Sequence, residues 1–301
     1  MITDQTDNIV TNILKDIEKR YPVDTILVDG KQVWPLLRTE YAMHHIKDLS
    51  IKWGEVVPVE NRFHRLIRAI NNSLYGFNNW FGNYEYIALS DTLERRNIDG
   101  EFWNKLLDPI IDCIGADKVL LIEKPLPRHY PAGKVHTRHV ASMDMLMLAI
   151  AYQIVTPYGL KIENQAVLES IKNEYSLKID DKRTIKLRLA LEAVYRYLFR
   201  KFRPKAIFVS DYCGHLSAVK AAKALRVPVI EFQHGVIGKD HPDYNVYIEL
   251  DKNCFPDYLL VFGKKDIDVF ENSLFVKPEN VVPIGSFYIE YVKRNHKKDS
   301  T

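Results

Sequence analysis

Short apolar runs alternate with stretches of helical period along almost the whole chain. The run TILVD (25–29) ends on Asp29-Gly30, a turn signal. YEYIAL (84–89), VLLI (119–122), AIFV (206–209), VPVIEF (227–232), YLLVF (258–262) and VVPI (281–284) each predict a strand. Between them, Trp34, Leu36, Leu37 and Tyr41 share a helical face, and 141–155 and 183–202 keep a period of three and four. In the second of these, Leu187, Leu191, Val194, Leu198 and Phe199 form the stripe. Near-continuous apolar strands separated by helices mean a parallel sheet buried on both faces. The expected fold is therefore α/β with a doubly wound, Rossmann-like parallel sheet.

The most informative stretch is 205–238, KAIFVSDYCGHLSAVKAAKALRVPVIEFQHGVIG. It predicts a strand, an acid-bearing turn, a helix of small residues from about His215 to Leu225, a second strand, and a loop carrying Gln233, His234 and Gly235. Ligands of open parallel sheets bind at the carboxyl ends of the strands, where loops present free backbone groups and helix N-termini. Asp211 ends the first strand and His234 follows the second, so one unit points an acid and an imidazole at one edge. Ser210 and Tyr212 flank the acid, and Gly214 allows a tight turn into the helix. Asp211 can serve there as a base, a nucleophile or the helix cap. The His234 imidazole can take a proton or hydrogen-bond a phosphate; its bland alternative is a structural histidine.

Composition narrows the class without naming a reaction. The chain has 301 residues, is 47% hydrophobic and 27% charged, and carries a net charge of +3. That balance is ordinary for a globular protein, and its spread gives no reason to expect a nucleic-acid partner. The cysteines, Cys113, Cys213 and Cys254, have neither metal-ligand spacing nor the density of a secreted scaffold. The amphipathic N-terminus lacks the apolar centre of a signal peptide, and no apolar run is long enough to span a bilayer. A cytoplasmic protein is expected, working at the inner face of the cytoplasmic membrane only peripherally.

Glu123 ends the third predicted strand and opens an irregular stretch, 123–141, rich in proline, histidine and cationic residues. Glu123 faces the same cleft on one reading and pairs with Arg128, Lys134 or Arg138 on the other. Arg128, Lys134 and Arg138 suit phosphate or carboxylate groups, which guanidinium binds in bidentate fashion, although a solvated loop is the favoured account of them. His129, His136 and His139 have no carboxylate or cysteine at ligand spacing, so no metal site is expected. The GxSxG elbow, the phosphate-binding P-loop and the GxGxxG fingerprint are all missing.

VPVIEFQHGVIG, then PDYLLVFGKKDIDVF, then VVPIGSFYIEYV resembles the middle of bacterial glycosyltransferases that build capsule and lipopolysaccharide on a GT-B fold. The SDY segment at 210–212 is similar to the acid-bearing strand end of their Kdo (3-deoxy-manno-octulosonate) transferases. The resemblance spans about 205–290. It implies one half of a GT-B architecture, with residues 1–285 as the acceptor-side domain and 286–301 as a linker or tail toward a second domain. It also implies a nucleotide-sugar co-substrate, CMP-activated if the Kdo likeness holds, and no further cofactor. The acceptor would be a polysaccharide or lipid-linked glycan, and a second transferase domain or subunit would be a partner. Asp211 matches the catalytic acid position and His234 the loop histidine beside the donor phosphates, with Glu123 a further candidate. Gln233, Gly235, Ser210, Tyr212, Arg128 and Arg138 would then contact substrate. The alternative function is a non-catalytic half-domain that binds a glycan or a partner transferase.

Overall fold

The computed structural model describes residues 2–48, 61–155, 159–238 and 241–296. Seven parallel strands form the central sheet: β1 (Tyr86–Asp91), β2 (Val119–Lys124), β3 (Val140–Ser142), β4 (Ala206–Val209), β5 (Val229–Phe232), β6 (Tyr258–Val261) and β7 (Val281–Pro283). Their spatial order is β3-β2-β1-β4-β5-β6-β7, the Rossmann-type order extended by one strand. Strand order reverses between β1 and β4, which pair from Tyr86↔Ala206 to Leu89↔Val209. The two strand ends diverge into different loops there, and that opening is the natural crevice of such a sheet.

Helices cover both faces, as expected of a doubly wound sheet. They are α1 (Ile2–Arg20), α2 (Trp34–Asp48), α3 (Arg62–Ser73), α4 (Asp108–Ile114), α5 (Asp144–Val155), α6 (Gln165–Glu174), α7 (Asp181–Phe202), α8 (Leu216–Ala224) and α9 (Phe287–His296). Alternation along each strand divides the core in two. Ile87, Leu89, Leu120, Ile122, Ile207 and Val209 join the larger cluster, which includes residues of α1, α2, α5, α7 and α8. Ala88, Val119, Leu121, Phe208 and Phe232 face the smaller one, where Leu107 and Ile111 of the α4 region pack. The small side chains Ala218, Ala221 and Ala222 are wholly buried, which brings α8 close against the sheet.

Two expectations about elements change. The run at 25–29 is not in the sheet: Leu27–Val28 pairs antiparallel with Lys31–Gln32 as a separate hairpin. Asp29 and Gly30 both have positive φ, 49° and 70°, the geometry that turns a chain straight back on itself and not into a crossover helix. The seventh strand is instead Val140–Ser142, inside the stretch read as irregular, and it pairs with Leu121–Glu123 of β2. A second hairpin, Arg95–Ile98 with Glu101–Asn104, follows β1. The stretch expected as linker or tail begins as α9, and residues 297–301 lie outside the described residues.

One buried ion pair ties the N-terminal helices to the segment 242–247, which follows β5. Glu18 of α1 accepts from Arg38 Nε at 2.9 Å and from Trp34 Nε1 at 3.1 Å, and its other oxygen accepts from the Tyr247 amide at 3.0 Å. Arg38 of α2 also donates to the carbonyls of Pro242 and Asn245, at 2.9 and 2.6 Å. Both side chains are buried. Burying two charges is costly, and the cost is met only because nearly every donor and acceptor finds a partner. Removing the cation strands a buried carboxylate. Arg38→Met should therefore lower stability by about 3–5 kcal/mol in urea unfolding; a loss below about 1 kcal/mol would show that the pair is no more than a surface-grade contact.

Candidate functional site

The carboxyl edges of β4 and β5 carry the residues singled out in the sequence. Because Val209 pairs with Glu231, Asp211 and Gln233 stand level, two residues beyond that pair. The structure thus brings Ser210, Asp211 and Tyr212 next to Gln233, His234 and Gly235. On the other side of Asp211 lies the crevice. Leu89 pairs with Val209, so Asp91 at the end of β1 is level with Asp211 across the reversal point.

Asp211 is half-buried, and its carboxylate faces its own turn. Oδ1 accepts from the Cys213 amide and Oδ2 from the Gly214 amide, both at 3.0 Å. A methyl group at position 214 would come within 2.6 Å of Oδ2, which is why a glycine stands there. The capping role is real, and it also fixes the acid at the mouth of α8. Across the crevice, Asp91 Oδ1 accepts from the Leu93 amide at 2.7 Å, capping the short turn 92–94. Burial raises the Asp91 pKa, and the negative charges of Glu94 and Asp211 add to the rise. Lys124, the register partner of Asp91 at the end of β2, opposes it.

Cationic and neutral groups complete the surroundings. His215, the residue before α8, is buried, and its Nδ1 has no partner among the described residues. Burial pulls its pKa down to about 4, helped by the charges of Lys124 and Arg188 and opposed by Asp211. It is therefore neutral at pH 7. Arg188 of α7 lies in the field of Asp211 and Glu40, and burial lowers its pKa. His234 is half-buried, and its Nδ1 also lacks a partner among the described residues. Gln233 braces the backbone: Oε1 accepts from the Phe262 amide at 2.6 Å, and Nε2 donates to the Gly235 carbonyl at 2.9 Å. It holds the 233–235 loop against the end of β6. Gly235 sits in open space.

Beneath this edge lies an acid that the sequence alone does not single out. Glu231 is fully buried in β5; Oε1 accepts from Tyr244 Oη at 2.9 Å and from the Tyr212 amide at 3.2 Å. Oε2 has no partner among the described residues. Burial pushes its pKa well above the usual carboxylate range, and the nearby Asp211 charge adds to this. Tyr212 is buried as well, and its hydroxyl donates to the Asp243 carbonyl at 2.5 Å. The one signal in the sequence is an acid inside the apolar run VPVIEF, an unusual guest in a buried strand.

The remaining candidates lie elsewhere. Glu123 is fully buried, with Arg95 Nε at 2.5 Å on one oxygen and His129 Nδ1 at 3.1 Å on the other. His129 continues to Ser142 Oγ at 2.8 Å and stacks on Tyr75. The partners of Glu123 are thus Arg95 and His129, where the sequence offered Arg128, Lys134 or Arg138. Arg128 is exposed in the loop after β2. Arg138 pairs with Asp117 at 2.7 Å. Asp117 precedes β2 and Arg138 precedes β3, so this pair sits at the amino edge, opposite Asp211. The three loop histidines disperse. His136 joins Glu101 and Asp112, and His139 joins Asn79 and Asp117. Among the described residues no cluster of three or more histidine, cysteine or acidic side chains is placed to hold a metal ion. All three cysteines are free thiols.

A cleft of about 270 Å³ opens along the same carboxyl edge, lined by Phe232, Gln233, Phe262, Ile284, Ser286 and Phe287 among others. It runs from the Gln233 loop to the start of α9. Its wall is mostly aromatic and aliphatic, with Lys105, Gln233 and Ser286 among its polar groups. Such a surface suits the face of a sugar or a base better than a bare phosphate.

The buried acid gives a pH signature. Below about pH 4.5 Glu231 holds its proton in both folded and unfolded chains. Above that, the unfolded chain releases the proton while the fold keeps it, so stability falls by up to about 1.4 kcal/mol per pH unit. Glu231→Gln has no proton to lose. Its stability relative to the parent should therefore rise between about pH 5 and 7 in paired urea titrations; a difference that does not change with pH would mean that Glu231 is ionised in the fold. No protein-family model and no curated protein matches this chain.

Proposed function

We propose that this chain is the acceptor-side part of a glycosyltransferase that moves a sugar from a nucleotide donor to a cell-surface polysaccharide or lipopolysaccharide acceptor. The observation that supports this reading best is the convergence of Asp211, Asp91 and the 233–235 loop on one carboxyl edge, at the point where strand order reverses. The apolar cleft beside it ends at Gly285-Ser286-Phe287, the segment whose likeness to GT-B enzymes marks the crossing to a donor-binding domain.

In this reading Asp211 acts on the sugar and His234 reaches toward the donor phosphates. In an inverting transfer, Asp211 accepts the proton of the acceptor hydroxyl as its oxygen attacks the anomeric carbon, and the nucleotide leaves with the bonding electrons. In a retaining transfer, Asp211 attacks the anomeric carbon and expels the nucleotide with the bonding electrons; the acceptor hydroxyl then displaces Asp211, and its proton passes to the departed phosphate. Glu231 lies beneath, kept neutral by its burial. A CMP-activated sugar acid is the donor class that the Kdo-transferase likeness suggests.

A second reading has one observation in its favour. Both Asp211 oxygens already accept backbone amides, as in a purely structural cap on a half-domain that binds a glycan or partner. Asp211→Asn separates the two, because asparagine also caps turns but is a very poor base. The variant keeps one of the two amide acceptors, so it should fold with a loss of about 1–2 kcal/mol and lose about 10²–10⁴-fold in transfer rate, read by product mass with CMP-, UDP- and GDP-sugars. Parental turnover in the Asn variant would return Asp211 to the capping role alone.

A further inference from the structure

Helix α3 is turned inside out. A surface helix normally buries its apolar stripe and shows its polar side to water. Here Phe63, Leu66, Ile67, Ile70 and Leu74 recur at helical spacing and are all exposed, Phe63 at 65% and Leu74 at 61%. The side toward the body is polar: Asn72 and Ser73 are buried, and Asn72 donates to Asp144 Oδ2 at 3.0 Å. Arg68 reaches the Pro127 carbonyl at 2.9 Å. The helix is anchored by hydrogen bonds, and among the described residues its apolar face is left to solvent. The exposure continues past the helix into Phe77 and Phe81, which meet edge to face, with Phe81 70% exposed.

Within the segment itself the charge has one sign. Between Asn61 and Tyr84 the chain carries Arg62, Arg65 and Arg68 and not one aspartate or glutamate. At the far end Lys201 of α7 stands over the Phe81 ring, 5.5 Å from its centroid. Nearby along α7, Tyr197 and Arg200 are also exposed. A contiguous apolar patch on a protein surface marks an interaction site. An apolar helix face backed by arginines, with no acid among them, has the chemistry of a segment lying in the headgroup region of a bilayer, apolar side down and cations among the phosphates. No helix among the described residues is long and apolar enough to cross a membrane, so the contact would be made from one side.

We propose that the 63–81 surface docks this protein onto an anionic lipid bilayer. The inference stands apart from the glycosyltransferase reading, since lipid binding needs neither donor nor turnover. The full chain is to be sedimented with vesicles of phosphatidylcholine alone and of phosphatidylcholine mixed with phosphatidylglycerol. The parent should pellet with the mixed vesicles, far less with the neutral ones, and be released by salt. Leu66→Ser with Ile70→Ser, checked for fold by circular dichroism, should weaken binding at least about tenfold. Arg65→Glu should weaken it about fivefold or more. A Phe63→Trp probe in an otherwise parental chain should shift its emission to the blue only with mixed vesicles. The proposal is overturned if the parent does not pellet, if it binds both vesicle types equally, or if the double variant binds as the parent does. A concentration-dependent dimer that the double variant abolishes would assign the face to a second copy and overturn it as well.

Discussion

Everything at the candidate edge hangs on how the chain beyond His234 is held, and one buried cation holds it. Arg38 sits between Glu18 and the carbonyls of Pro242 and Asn245. The segment it grips has no regular structure to hold it, yet that segment supplies Tyr244 to Glu231 and the Asp243 carbonyl to Tyr212. Tyr212 in turn gives its amide to Glu231, one residue after Asp211. The path from an N-terminal ion pair to the acid-bearing turn is thus a short relay of hydrogen bonds through largely buried groups. In a dry interior such a chain is stiff, and a gap in it is costly.

The same concentration of polar groups explains why this edge departs from the rest of the sheet. Elsewhere the strands pack aliphatic and aromatic side chains on both faces, and buried charged groups are kept satisfied, among them Glu18 with Arg38, and Glu123 with Arg95 and His129. At the reversal point, Asp91, Asp211, Glu231 and His215 are crowded together. There the protein leaves Glu231 Oε2, His215 Nδ1 and His234 Nδ1 without partners among the described residues. Perturbed and unsatisfied groups of this kind cluster at functional sites more often than elsewhere. Keeping Glu231 and His215 uncharged lowers the cost of burying them.

Much of the fold was legible because its strands are apolar runs bounded by turns. The strands at 86–91, 119–124, 206–209, 229–232, 258–261 and 281–283 all fall on runs visible in the sequence. Val140–Ser142 was not visible, because Val-Ala-Ser makes no apolar run and directly follows a stretch of histidines and prolines. TILVD was visible but misplaced, since periodicity says strand without saying which sheet. Of the site, Asp211 and His234 could be found from their positions at strand ends. Glu231 could not, because its meaning comes from Tyr244 and Tyr212, which only the tertiary fold brings to it. Arg138 shows the converse: a cation in a suggestive loop that the crossover carries to the far edge of the sheet.

If the Glu18–Arg38 pair organises the acid-bearing edge at a distance, its loss must be felt there. Amide hydrogen exchange on the full chain, parent against Arg38→Met, tests this residue by residue. Protection should fall at 241–247 and at the amides of Tyr212, Cys213 and Gly214, while the β1 and β2 amides keep theirs. Unchanged exchange at 241–247 and 212–214 in the variant would contradict the claim and leave the two ends of the molecule structurally independent.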